Sequence, residues 1–248
     1  GRYYDSKKNT WKWQRPNLFT TNEDLFTQTI VVPYLIPMLQ NAGAVVFTPR
    51  ERDWQKEEVI VDNDDPILAP YFSIRNGNKT WRQAPSQGFK KTKAVYSDGD
   101  NPFCAGTCLM AESHKKGGST ISYTPKLEKE GPHAVYVSYQ TVPGSVDDAL
   151  YTVWHKGQAT QFHVNQTMGG GTWIYLGTFD FAPDSGNCVI LDNGVPEGGI
   201  HSKGEVVTAD AVRFGGGMGK IARGNGSTPD NIWATSGLPA YAEGALYS

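Results

Sequence analysis

From about residue 93 to residue 214, apolar and polar residues alternate in short runs, separated by Gly, Pro, Asp and Asn. Alternation puts successive side chains on opposite faces of an extended chain, so each run reads as a strand with one face buried. The runs predict strands over 108–112, 119–124, 134–139, 150–155, 160–165, 172–181, 188–191 and 206–214. Lys156 and Gly157 fall between two of them and predict a tight hairpin, because glycine accepts the positive φ such a turn needs. This density of strands in about 120 residues predicts a jelly-roll-like antiparallel β-sandwich.

Residues 1–92 have a different texture and predict a partial α/β segment. Thr20 and Glu23 have the spacing of a capping box, and Phe26, Ile30, Tyr34, Leu35, Met38 and Leu39 follow at helical intervals. Asn41-Ala42-Gly43 is a helix stop, and Pro33 and Pro37 predict a kink inside the helix, whose apolar face should pack on a sheet. Short strands are expected at 44–48 and 58–62, and 63–92 reads as loop. After Phe214 a glycine-rich stretch and a helix start at 236–243 make 218–248 a linker returning to the α/β part. The expected organisation is therefore 1–92, 93–217 and 218–248: a predominantly β mixed fold with an N-terminal α/β piece.

Composition agrees with a loop-rich β protein: Gly 28, Pro 15 and 12% aromatics in 248 residues. The formal net charge of −2 gives no electrostatic case for a nucleic-acid partner. No apolar run approaches the roughly 20 residues that span a bilayer. No signal-peptide pattern opens the chain, and Gly1 reads as a cut boundary. Cys104, Cys108 and Cys188 are odd in number. They fit three reduced thiols, or one disulfide with one thiol left over, better than a zinc finger, since no second Cys pair follows.

The stretch Gly169-Gly170-Gly171-Thr172-Trp173-Ile174-Tyr175-Leu176-Gly177-Thr178-Phe179-Asp180-Phe181, together with Val206-Val207-Thr208-Ala209-Asp210-Ala211-Val212-Arg213-Phe214, resembles the golvesin C-terminal-like domain. That resemblance covers about residues 93–217. It implies a non-catalytic carbohydrate-binding or scaffold module of a secreted, periplasmic or cell-surface bacterial protein, with polysaccharide or peptidoglycan as partner. The run from Glu23 to Asp53 resembles the N-acetylmuramoyl-L-alanine amidase family, with Pro49 interrupting the Thr-Arg element. The two together resemble Bacteroidetes-type proteins of the xanthan lyase kind. The amidase resemblance makes Glu23 a metal ligand for zinc in the parent protein, with the remaining amidase-like domain as partner. Its other ligands would be histidines, and His114, His133, His155, His163 and His201 all lie in the sandwich portion instead. The alternative function is thus a fragment of a zinc amidase-like hydrolase, and the residues alone allow Glu23 to be only a helix cap.

Candidate ligand-binding residues are aromatics able to stack on a sugar and polar residues able to bond its hydroxyls. Trp154, Tyr136 and Trp173 supply the first, each with a core role as the alternative. Trp173 and Tyr175 share one strand face and Ile174 and Leu176 the other, and alternation does not say which faces inward. Asp210, flanked by Ala209 and Ala211, is half-buried by this reading and needs hydrogen-bond partners, from a loop backbone first and from a ligand second. Arg50, with Arg52, sits where an α/β strand end binds ligands, or in a solvated loop of mixed charge. Tyr3, Tyr4, Trp11 and Trp13 line a groove or cover a small core. Asp147-Asp148 is a weak calcium motif. Gly215-Gly216-Gly217-Met218-Gly219-Lys220 is not a phosphate loop, because Ile221 stands where Ser or Thr is required.

Overall fold

The computed structural model describes residues 2–5, 7, 10–13, 30–44, 46, 57–93, 101–183, 186–194, 205–216 and 246–247. Its strands are β1 (Arg2–Asp5), β2 (Thr10–Trp13), β3 (Glu58–Val61), β4 (Phe72–Arg75), β5 (Arg82–Gly88), β6 (Gly106–Glu112), β7 (Thr120–Tyr123) and β8 (Gly131–Val137). They continue with β9 (Ala149–His155), β10 (Gln158–Val164), β11 (Ile174–Phe181), β12 (Cys188–Asp192), β13 (Val206–Ala209), β14 (Val212–Gly215) and β15 (Leu246–Tyr247). All pairings between these strands are antiparallel.

Three sheets make the sandwich. One has six strands in the order β15-β10-β9-β12-β7-β4, one has four in the order β11-β8-β14-β3, and one has three in the order β13-β6-β5. Alternation decides what each strand buries. On β9, Tyr151 and Val153 point inward, and on β12 Val189 and Leu191 do. They meet Val135 and Val137 of β8 and Val212 and Phe214 of β14 in one continuous core. Fully burying each such side chain contributes about 1.5–3 kcal/mol. Strand β8 is buried on both faces, because Ala134 and Tyr136 enter a second, smaller core with Phe89, Phe103, Trp173 and Ala211. The expected hairpin is present: His155 pairs with Gln158, with Lys156 at φ 45 and Gly157 at φ 77.

The N-terminal expectations change in part. Residues 58–88, assigned above to an α/β segment and a long loop, supply three sandwich strands: β3 pairs with β14, β4 with β7 and β5 with β6. A break at residue 93 does not separate them from the sandwich. The expected strand at 206–214 is two strands in two different sheets, parted at Asp210-Ala211. The helix is seen as a π-helical turn, Val31–Leu35, running into α1 (Ile36–Asn41), with the Ile36 amide bonded back to the Val31 carbonyl. That wider turn lies where Pro33 and Pro37 deny the regular ladder its donors. Gly43, at φ 86, ends α1, and the Ala44 amide reaches the Leu39 carbonyl, the closing bond of a glycine C-cap. Ile36 is buried, but Tyr34, Leu35, Met38 and Leu39 stay exposed, so no α/β packing is established for this helix. Strand 44–48 and the helix start at 236–243 fall largely or wholly outside the described residues. No helix among the described residues is long and apolar enough to cross a membrane.

Candidate functional site

Among the described residues, polar chemistry gathers at an interior corner and, differently, on a sheet face. The interior one is the corner between β13 and β14. Asp210 is wholly buried there and accepts the Phe89 amide on both oxygens, at 2.9 and 3.0 Å, and the Ser138 hydroxyl at 2.8 Å. The Tyr123 hydroxyl donates to the Asp210 carbonyl, and the Ser138 amide to the Ala211 carbonyl. Backbone groups freed by the break in the strand are thus paired again. Gly88 and Gly106 face each other on β5 and β6 beside this knot. A Cβ at Gly88 would come within 2.8 Å of the Asp210 carboxylate and 2.2 Å of the Thr107 carbonyl.

A second acidic group closes the same region. Asp62 is buried just beyond β3, and the turn after it is pinned to β6. Asp64 accepts the Thr107 amide and hydroxyl, and Asn63 donates to the Thr107 carbonyl and hydroxyl oxygens. Burial pushes the Asp62 carboxyl up to about 8, with the nearby Asp210 charge adding to it. Burial also raises Asp210, to about 7, against the hydrogen bonds from Ser138 and Phe89 that favour its ionised form. The Cys108 thiol is likewise pushed up by burial. This corner is a structural joint of buried, mutually bonded polar groups. Sequence reasoning missed Asp62, whose Asp-Asn-Asp-Asp surroundings have the composition of a solvated loop.

The other place is the outward face of the six-stranded sheet. With Tyr151 and Val153 inward, β9 turns Leu150, Thr152 and Trp154 outward, and Trp154 is 40% exposed. Cys188 lies opposite Trp154 on β12, and Ile190 and Asp192 follow on the same face. The register continues the face through Thr120 and Ser122 on β7 to Arg75 and Ser73 on β4, and through Gln161 and His163 on β10. One end of this face is closed by the turn His114–Gly118. Asp192 accepts the amides of Gly118 and Gly194, and a Cβ at Gly117 would meet its carboxylate at 2.3 Å. His114 Nδ1 accepts the Lys116 amide at 3.2 Å and lies 3.1 Å from Asn78 Nδ2, which leaves the neutral ring's proton on Nε2. Lys115, Lys116 and Arg75 are exposed at this end.

The residues expected at a site are therefore scattered. Trp154 is on the open face. Tyr136 and Trp173 are both about 1% exposed. The Trp173 ring packs 5.0 Å from Phe89 and 5.4 Å from Phe103, and Arg213 lies 4.2 Å over the Tyr136 ring. Ile174 and Leu176 fill the main core while Trp173 and Tyr175 fill the second, so both faces of that segment are inside. Neither Tyr136 nor Trp173 offers a ring face to a glycan as placed, and Asp210 is equally enclosed. All three are buried: the second core covers the strand face that alternation left open at Tyr136 and Trp173. Glu23, Arg50 and Arg52 lie outside the described residues. Among the described residues no three His, Cys, Asp or Glu side chains converge to hold a metal ion, the Asp147-Asp148 pair included. The three thiols are unbridged, with Cys104 exposed and Cys108 buried.

Residues 86–216 match the model of the Golvesin C-terminal domain, which runs from within β5 to the residue after β14. The chain belongs to that family. Both the Asp210 corner and Trp154 lie inside the golvesin match, whereas β3 and β4 precede it yet pair with golvesin strands. A xanthan lyase from Bacillus sp. (strain GL1) is 33% identical over 159 residues, which are 63% of this chain and 14% of that protein. A solved structure of a Paenibacillus xanthan lyase covers 69% of this chain and 14% of its own, at 22% identity and a TM-score of 0.48. The chain therefore spans only a small part of these relatives. They come from Bacillus and Paenibacillus, not from the Bacteroidetes that the resemblance implied. The golvesin match does not reach the amidase-like run at 20–53.

Proposed function

We propose that this golvesin-family sandwich is a non-catalytic carbohydrate-binding module of a secreted bacterial protein that acts on polysaccharide. The observation that carries the reading is the 33% identity to a stretch of a xanthan lyase. A module shared with an enzyme named for a polysaccharide, and itself built around structural rather than reactive polar groups, fits substrate attachment better than bond cleavage. The two carboxyls raised by burial in this corner, Asp62 and Asp210, are both enclosed in the interior. No observation among the described residues favours the amidase alternative, since Glu23 lies outside them.

Calorimetry and affinity electrophoresis against xanthan, other acidic polysaccharides, a neutral β-glucan and peptidoglycan test the proposal. Saturable binding to at least one glycan is expected. Absence of binding to all of them overturns it and leaves a scaffold role.

A further inference from the structure

The outward face of the six-stranded sheet joins an exposed aromatic ring to a set of cations. We infer that this face is the glycan site and that it selects acidic polysaccharides, with Trp154 stacking on a sugar ring and Arg75, Lys115 and Lys116 receiving carboxylates. The inference rests on the carbohydrate-binding reading above and gives it a location and a substrate class.

Four observations carry it. First, of the aromatics Trp154, Tyr136 and Trp173, only Trp154 keeps an accessible ring, 40% exposed on an outward strand position. Second, its neighbours suit a polyol. Thr152, Gln161, Thr120, Ser122 and Ser73 share the face and offer hydroxyls and an amide, while Leu150 and Ile190 give it an apolar floor. Third, Arg75, Lys115 and Lys116 have no carboxylate partner among the described residues, although the chain as a whole is net negative. Lys79, nearby, is paired with Glu112, and the Asp192 carboxylate is occupied by backbone amides. Among the described residues, three cations stand at this end of the face against the single Asp192 carboxylate, a positive excess that complements an anionic ligand. Fourth, the turn bearing Lys115 and Lys116 is fixed by His114, Asn78 and Asp192, so the cations sit on an ordered support. Three strand spacings separate β9 from β4 and four residues separate the row of Trp154 from that of Arg75, a diagonal of roughly 20 Å. Contacts that far apart call for a polymer and not a single sugar.

The test compares Trp154→Ala, a triple variant Arg75→Ala/Lys115→Ala/Lys116→Ala, and Arg82→Ala on the other sheet. Ligands are xanthan, polygalacturonate and neutral hydroxyethylcellulose, each at low and high salt. Thermal midpoints check that the exposed substitutions leave the fold intact. Trp154→Ala is expected to weaken xanthan binding roughly tenfold at either salt. The triple variant is expected to weaken it by a similar factor at low salt and little at high salt, where charges are screened. Arg82→Ala should bind as the parent does. Glycan binding that survives both the Trp154 and the triple substitution overturns this site while leaving the proposed function standing. Binding to no glycan overturns both. Equal, salt-insensitive binding of neutral and acidic polymers overturns the selectivity. A concentration-dependent dimer lost in Trp154→Ala would reassign the face to a second copy of the chain and overturn the inference.

Discussion

Asp210 accepts an amide on both oxygens and a hydroxyl on one, with no cation as its partner in those bonds. Removing the carboxylate leaves the Phe89 amide and the Ser138 hydroxyl buried without their acceptor. Each orphaned buried donor costs about 1–3 kcal/mol. Asp210→Ala is therefore expected to lower unfolding stability by about 2–4 kcal/mol, read from the urea midpoint at constant slope. A ligand-binding Asp at an open position would show a small stability change and a large affinity change, the reverse pattern. The sequence showed that Asp210, between two alanines, needs partners. It did not show which, because Phe89 and Ser138 lie 121 and 72 residues earlier in the chain.

Among the elements, the β9–β10 hairpin is the cleanest case of local dictation. Gly157 sits at φ 77, and a Cβ there would meet nothing within 4 Å. Gly157→Ala should thus cost only the left-handed backbone penalty, about 1–2 kcal/mol, without loss of packing. Equilibrium denaturation of the variant checks the value. Strands such as β9 and β12 were legible for an equally local reason: each is a short β-branched and aromatic run bounded by turn residues, although Leu150, Trp154 and Ile190 put apolar side chains on the outward face too. Strand β5 was not legible. Its Gln, Pro and Ser residues lack a strand pattern, and Pro85 lies in the register shift between Gln83 and Gln87, where a missing donor is tolerated. The division of 206–214 was hidden because alternation runs on through Asp210, and only distant partners make the corner. For the open face, Trp154 was legible as an aromatic at an alternating position. The cations were not, because Arg75, Lys115 and Lys116 meet through the pairing of β4 with β7 and the turn before β7.

For the molecule as a whole, the two buried carboxyls set a dependence on pH. Both hold their protons in the folded state to about 8 at Asp62 and about 7 at Asp210, against about 3.9 in an unfolded chain. The folded state therefore binds more protons than the unfolded state between those limits. Their contribution to stability is fully present below about pH 4 and is lost as pH rises through 7 and 8. The thermal midpoint should fall between pH 5 and 9. Asp62→Asn, which keeps the shape without the charge, should flatten that fall, most clearly above pH 7. An unchanged slope in the variant would rule out Asp62 as its source. On this account the two carboxyls favour mildly acidic over neutral or alkaline surroundings.

One continuous piece of chain, β13 into β14, is stitched into two sheets on either side of Asp210. Neither sheet can peel away alone without pulling that piece from the other. The corner therefore ties their opening motions into a single event. In native-state hydrogen exchange, amides of Val207 and Thr208 and those of Val212 and Phe214 should report one shared opening free energy, and Asp210→Ala should lower it for both groups together.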